Sequence, residues 1–150
     1  MKSNLNKMFL EINGVPILYW TLLRLNKCRL VGRIILVSRE QEIQKVKEMI
    51  NKFGRLLKLK KIIEGGMERS DSVRNGLKYI LENPESSIIM THDGARPFFT
   101  NAMILRLKEA TVSTGASIPV LGINETTRRE IAKDMAEVID RNSLFITQTP

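Results

Sequence analysis

A chain of 150 residues with 43% hydrophobic and 27% charged residues is the size of one ordinary domain and has the composition of a folded protein, not a disordered one. Its 24 Lys and Arg against 16 Asp and Glu leave a formal net charge of +8, which suits an anionic partner such as a nucleotide, a phosphorylated metabolite, nucleic acid or acidic lipid. Aromatics at only 5%, with adjacent basic residues only at Lys60-Lys61 and Arg128-Arg129, argue against a dedicated nucleic-acid module, which concentrates cations and stacks bases on rings.

Along the chain, Lys2 and Lys7 precede Met8, Phe9 and Leu10, but Glu11, Asn13 and Gly14 break the apolar run, so no signal peptide is expected. Gly14-Val15-Pro16 reads as a turn, with Pro16 in the first turn of a helix that carries Ile17, Leu18, Trp20, Leu22 and Leu25. Cys28, the single cysteine, ends that pattern and reads as a buried bystander. Arg33 to Ser38 is a β-branched run, read as a buried strand. A helix follows from Glu40, with Ile43, Val46 and Ile50 at helical period, and stops before Gly54. Leu57 to Ile63 reads as a second strand, and Ser70 as the N-cap of a helix from Asp71 to Leu81. Ser87 to His92 is expected as a third strand, stopped by Asp93-Gly94 and Pro97. Thr100 caps a further helix through Ala110, and Ala116 to Val120 is a fourth strand. Gly122 to Val138 is polar without a helical stripe and reads as a projecting hairpin or arm. No stretch is long and apolar enough to span a membrane, and a cytoplasmic protein without a membrane partner is expected.

Strands alternating with helices imply βαβ units, a parallel sheet and an α/β sandwich, in which ligands bind beyond the carboxyl ends of the strands. Three polar clusters are expected to converge there: Gly65 to Ser72, His92 to Pro97, and Glu125 to Arg129. In the first, paired glycines and a helix N-terminus can cradle an anion, with Ser70 and Ser72 as donors; a capped turn explains the same residues. In the second, Asp93 can orient a ribose hydroxyl or a magnesium-bound water and Arg96 can take a phosphate, or the two can simply pair. His92, the only histidine, reads as a hydrogen-bonded structural residue in preference to a general base. Asp140 to Leu144 alone is a capped turn, Thr147 to Pro150 a chain end, and Lys7 an ordinary surface lysine.

Taken together, Lys7-Met-Phe-Leu-Glu-Ile-Asn-Gly-Val-Pro-Ile-Leu18, Gly65-Gly-Met-Glu-Arg-Ser-Asp-Ser-Val-Arg-Asn-Gly-Leu77, His92-Asp-Gly-Ala-Arg-Pro97 and Asp140-Arg-Asn-Ser-Leu144 with Thr149-Pro150 resemble the 2-C-methyl-D-erythritol 4-phosphate cytidylyltransferase family. The match runs in the family's order across essentially the whole chain; ribitol-phosphate cytidylyltransferases share much of the pattern. The resemblance implies a three-layer Rossmann-like nucleotidyltransferase sandwich with a mostly parallel sheet, occupying residues 1–150 as one partial domain, with about 121–139 as a dimerisation arm. It implies attack by an acceptor phosphate oxygen on the α-phosphorus of CTP, with release of pyrophosphate. A nucleophile that is already an anion needs surrounding positive charge and no triad.

By the same resemblance Lys7 stabilises the transition state, Gly66 and Ser72 contact cytidine, and Asp93 and Gly94 meet the ribose and phosphates. Arg96 belongs to that loop, while Thr126, Arg141 and Thr149 position the sugar phosphate, Arg141 in the neighbouring site of a homodimer. Mg2+ is expected to be held mainly by the CTP phosphates, with no protein metal site. Met67 departs from the pattern, standing where many members carry aspartate, and Leu121 to Asn124 makes a longer path into Glu125 to Arg129. The family's opening strand and glycine-rich loop, with a second catalytic arginine, would precede Met1, and its C-terminal strands, helix and lysine would follow Pro150. On that alignment the chain is a truncated copy expected to bind CTP poorly and to catalyse little or nothing, and an inactive nucleotide-binding or dimerisation remnant is the alternative.

Overall fold

The structure, a computed structural model, describes residues 6–83 and 88–149. Lys2, Ser87 at the start of the expected third strand, and Pro150 lie outside the described residues. The chain forms two compact units, one ending at Leu105 and the other beginning at Arg106.

The first unit opens with a 3-10 turn at Lys7–Phe9 and a hairpin of β1 (Glu11–Ile12) and β2 (Val15–Pro16). Its turn lies at Asn13 and Gly14, with φ of 52° and 74°, one residue earlier than expected. A two-residue hairpin loop needs left-handed backbone at both positions, and Asn-Gly takes it at least cost. Pro16 therefore pairs with Glu11 and stands just outside helix α1 (Ile17–Lys27). From α1 the side chains of Leu18, Leu22 and Leu25 enter a core with Phe9, Cys28, Ile34, Val46, Met49, Leu56, Phe99 and Ile104. Each large apolar side chain fully buried there contributes roughly 1.5–3 kcal/mol. Tyr19 joins them and directs its hydroxyl to the Phe53 carbonyl at 2.7 Å.

Strand β3 (Ile34–Ser38), helix α2 (Glu40–Phe53) and strand β4 (Leu59–Glu64) form a βαβ unit whose strands pair in parallel, Leu36 opposite Ile62 and Ser38 opposite Glu64. Glu40 and Glu42 in the first turn of α2 complement its dipole, and Gly54 terminates it at φ 116°. Helix α3 (Arg69–Glu82) begins two residues before the expected start. Glu68 caps it in a reciprocal box with Asp71, which satisfies the first amides without Ser70.

Residues 88–92 form no ladder, contrary to the expected third strand. Burial still alternates, Ile88, Met90 and His92 half-buried and Ile89 and Thr91 exposed, but no described residue pairs with the segment. Helix α4 (Asn101–Thr114) begins as expected, with Thr100 Oγ1 accepting from Met103 N at 3.1 Å, and runs one turn longer.

In the second unit, Val120–Gly122 (β5) replaces the expected strand at Ala116–Val120 and pairs antiparallel with β8 (Phe145–Thr147). Ser117 is held by α4 instead, its hydroxyl bonding the Leu107 carbonyl at 2.8 Å. Strands β6 (Arg128–Ala132) and β7 (Met135–Val138) make the hairpin read in the sequence, with Arg129 paired to Glu137 across it. The architecture is α/β, with one parallel pair and three small antiparallel pairs among the described residues. None of their helices is long and apolar enough to cross a membrane.

Candidate functional site

The carboxyl ends of β3 and β4 gather two of the three predicted clusters. Gly65 N extends the ladder to the Ser38 carbonyl at 2.8 Å, and the chain then turns through Gly66 into α3. Gly66 N donates to Ser72 Oγ at 3.1 Å, and that hydroxyl donates to the Glu68 carbonyl at 3.2 Å. A Cβ on Gly66 would sit 2.2 Å from Asp71 Cβ, so only glycine fits this tight path. Ser72 thus secures the loop from within, Ser70 lies exposed on α3, and Met67 is fully exposed.

Asp93 is the hub of the second cluster. Its Oδ2 meets Arg96 Nε at 3.1 Å, the local pairing foreseen as one alternative, and its Oδ1 meets Arg69 Nη2 at 2.7 Å. Arg69 is not among the residues that the sequence marks; its one local cue is a cation between Gly-Gly and two serines at the start of a helix. Two guanidiniums thus hold one carboxylate, while Asp71 pairs with Arg74 and Glu68 caps α3, so the charges along this edge are close to balanced.

Gly94 is placed by two neighbours. Its carbonyl accepts from the buried Thr21 Oγ1 at 2.8 Å, and a Cβ there would lie 2.9 Å from Met8 Sδ. Met8 follows Lys7, so the Lys7 turn packs beside the Asp93 loop. That turn is anchored further: Asn6 Oδ1 accepts from Met8 N at 3.3 Å, and Asn6 Nδ2 donates to Glu42 at 2.8 Å. Lys7 itself is exposed.

His92 differs from expectation. Both ring nitrogens are buried and have no hydrogen-bond partner among the described residues. The ring meets Phe99 edge-on at 5.0 Å. Burial holds its pKa below the ordinary 6.5, partly offset by Asp93, so the ring is a neutral packing element.

The third cluster lies in the second unit. Asp140 Oδ1 accepts from Asn142 N at 3.0 Å, capping the 3-10 turn Arg141–Ser143. Arg141 Nη1 donates to the Asn124 carbonyl at 2.5 Å, beside the segment carrying the exposed Thr126. Thr149 is half-buried, after Gln148 has bonded the Pro119 carbonyl at 2.9 Å.

No group of three His, Cys, Asp or Glu among the described residues can hold a metal ion. The carboxylates at the Gly66 edge are engaged: Asp93 by two arginines, Glu68 and Asp71 by the capping box. These residues do not fit a protein-held magnesium.

A family model described as 2-C-methyl-D-erythritol 4-phosphate cytidylyltransferase matches residues 1–150. The chain is 38% identical over 152 residues to a protein of that name from Syntrophus aciditrophicus, covering all of this chain and 64% of the relative. It is 35% identical to one from Halalkalibacterium halodurans, with the same coverage of each. A 4-diphosphocytidyl-2C-methyl-D-erythritol synthase structure from Anaerococcus prevotii superposes with a TM-score of 0.80 at 28% identity, covering 99% of this chain and 63% of that one. The chain therefore spans about 64% of the length of these curated relatives.

Proposed function

The chain belongs to the 2-C-methyl-D-erythritol 4-phosphate cytidylyltransferase family, and from that premise we propose that the protein joins CTP to 2-C-methyl-D-erythritol 4-phosphate, giving the CDP-alcohol and pyrophosphate in isoprenoid precursor synthesis. The observation that carries the reading is the meeting of the Gly65–Gly66 loop with the Asp93 loop at the ends of a parallel strand pair, joined by the Arg69–Asp93 contact. In this reading the domain is part of a three-layer nucleotidyltransferase sandwich.

The Gly65–Gly66 turn, its path fixed by the bond from Gly66 N to Ser72 Oγ, lets the nucleotide come close to the start of α3. Asp93 orients the ribose, and Gly94, packed on Met8 and held by Thr21, sets the loop beside the phosphates. Lys7 and Arg96 supply charge that strengthens as the pentacoordinate phosphorus forms, which is where binding lowers a barrier. Thr126, Arg141 and Thr149 hold the acceptor phosphate, Arg141 in the site of a second copy reached by the 121–139 arm. Magnesium held by the CTP phosphates would supply further charge neutralisation, with no ligand from this edge. A cytoplasmic location fits substrates of this kind.

The test is calorimetric titration with CTP, followed by pyrophosphate release with 2-C-methyl-D-erythritol 4-phosphate or ribitol 5-phosphate. Release with the first acceptor supports the reading, and release only with ribitol 5-phosphate transfers it to the other acceptor. Binding without release leaves a nucleotide-binding module, and absence of CTP binding overturns the reading.

A further inference from the structure

Asp93 is gripped from two directions that differ in what they connect. Arg96 comes from the same loop, three residues on, so its contact at 3.1 Å is local. Arg69 opens α3, and its contact at 2.7 Å ties the Asp93 loop to a segment 24 residues earlier in the chain. The segment before Arg69 is the Gly65–Gly66 turn, whose path is fixed by Ser72 and the Glu68–Asp71 box. We propose that Arg69 is a positioning residue that locks the Asp93 loop to the Gly66 loop, so that both address one nucleotide. The proposal rests on the reading of this edge as a nucleotide site and gives Arg69, which that reading assigns no role toward the ligand, a positioning one.

The physical case is geometric. A carboxylate has about four lone-pair directions, and two guanidiniums occupying one on each oxygen fix its plane while leaving acceptor capacity for a ligand hydroxyl. With Arg96 alone, carboxylate and guanidinium can turn together as a local pair. Stability does not explain the contact, because the Arg69 side chain is 66% exposed and exposed pairs add little. Pre-set orientation of an acceptor spares the ligand the cost of ordering it.

The test combines nucleotide affinity with amide exchange on the 150-residue chain. Arg69→Ala is expected to weaken CTP about tenfold, the size of one lost charge-assisted hydrogen bond. It should leave 2′,3′-dideoxy-CTP within about twofold, because that ligand lacks the hydroxyls Asp93 would receive. Asp93→Asn should act alike, the double variant should be no worse than Asp93→Asn alone, and Arg69→Lys should recover part of the loss. A role confined to holding the fold would weaken both nucleotides equally and add to Asp93→Asn, and that result overturns the proposal. Without nucleotide, amides of residues 93–96 should exchange faster in Arg69→Ala at unchanged melting temperature; unchanged exchange refutes the clamp. Failure of the wild-type chain to bind CTP rejects the nucleotide reading and the positioning role together, while the exchange arm still decides the clamp.

Discussion

Thr21 and Gly94, 73 residues apart, are joined by a hydrogen bond of 2.8 Å from the threonine hydroxyl to the glycine carbonyl. Thr21 is almost wholly buried in α1, so the Asp93 loop is pinned to the helix that organises the core. Thr21→Val keeps the shape but removes the donor to the half-buried Gly94 carbonyl, at a cost of about 1 kcal/mol. Urea denaturation should show that loss, and CTP affinity should fall as the loop loosens. An unchanged midpoint would show that the carbonyl finds another donor.

Gly66→Ala is expected to be the more damaging change at the nucleotide edge. The new Cβ would meet Asp71 Cβ at 2.2 Å and Asp71 Cα at 3.3 Å, so the loop must move, not merely a side-chain tip. Moving it breaks the Gly66 N to Ser72 Oγ bond and the Glu68–Asp71 box together. Overpacking of this kind costs roughly 1–3 kcal/mol. Gly32→Ala, where nothing lies within 4 Å of the added Cβ, is the matched control and should change neither melting nor binding.

How much of this was legible depends on how local each signal is. Helix α2 was readable to its ends, because Ile43, Val46 and Ile50 set the period and Gly54 marks the stop. The β6–β7 hairpin was visible as a polar segment without a helical stripe. The strand at 88–92 was read from its apolar run, yet a strand is defined by its partner, which a local pattern cannot supply. Ser117 had the right neighbours for a strand but was captured by the Leu107 carbonyl of the preceding helix. In the site, Asp93 and Arg96 stood out because they share a turn. Arg69 did not, since its importance is a contact made across 24 residues.

The buried ring of His92 makes stability depend on pH. Its folded pKa lies below the ordinary 6.5 because burial penalises the charged form. The unfolded chain therefore binds the proton more readily. The full contribution is present above about pH 6.5 and is lost progressively as pH falls toward the folded pKa. His92→Phe keeps a ring against Phe99 and removes the titration. Melting scans from pH 7 to pH 5 should fall less steeply for this variant; parallel slopes would mean that the ring gains its proton without strain.

Arg141 separates acceptor chemistry from nucleotide binding. Its guanidinium bonds the Asn124 carbonyl at 2.5 Å and is otherwise on an exposed turn capped by Asp140. It belongs to the second unit, whereas Gly66, Ser72, Asp93 and Gly94 belong to the first. If it positions the acceptor phosphate, Arg141→Ala should lower turnover by about 10²-fold, the usual cost of a misplaced reactant. CTP affinity should stay within about twofold, because no nucleotide contact is lost. Arg141→Lys keeps the charge but loses the planar fork that can bond Asn124 and a phosphate at once, so it should recover only part of the rate. Mixing Arg141→Ala with Lys7→Ala chains tests whether Arg141 acts across copies. Sites that combine an intact Lys7 from one copy with an intact Arg141 from another would restore part of the activity, and mixtures as inactive as either variant would place both residues in the same copy's site.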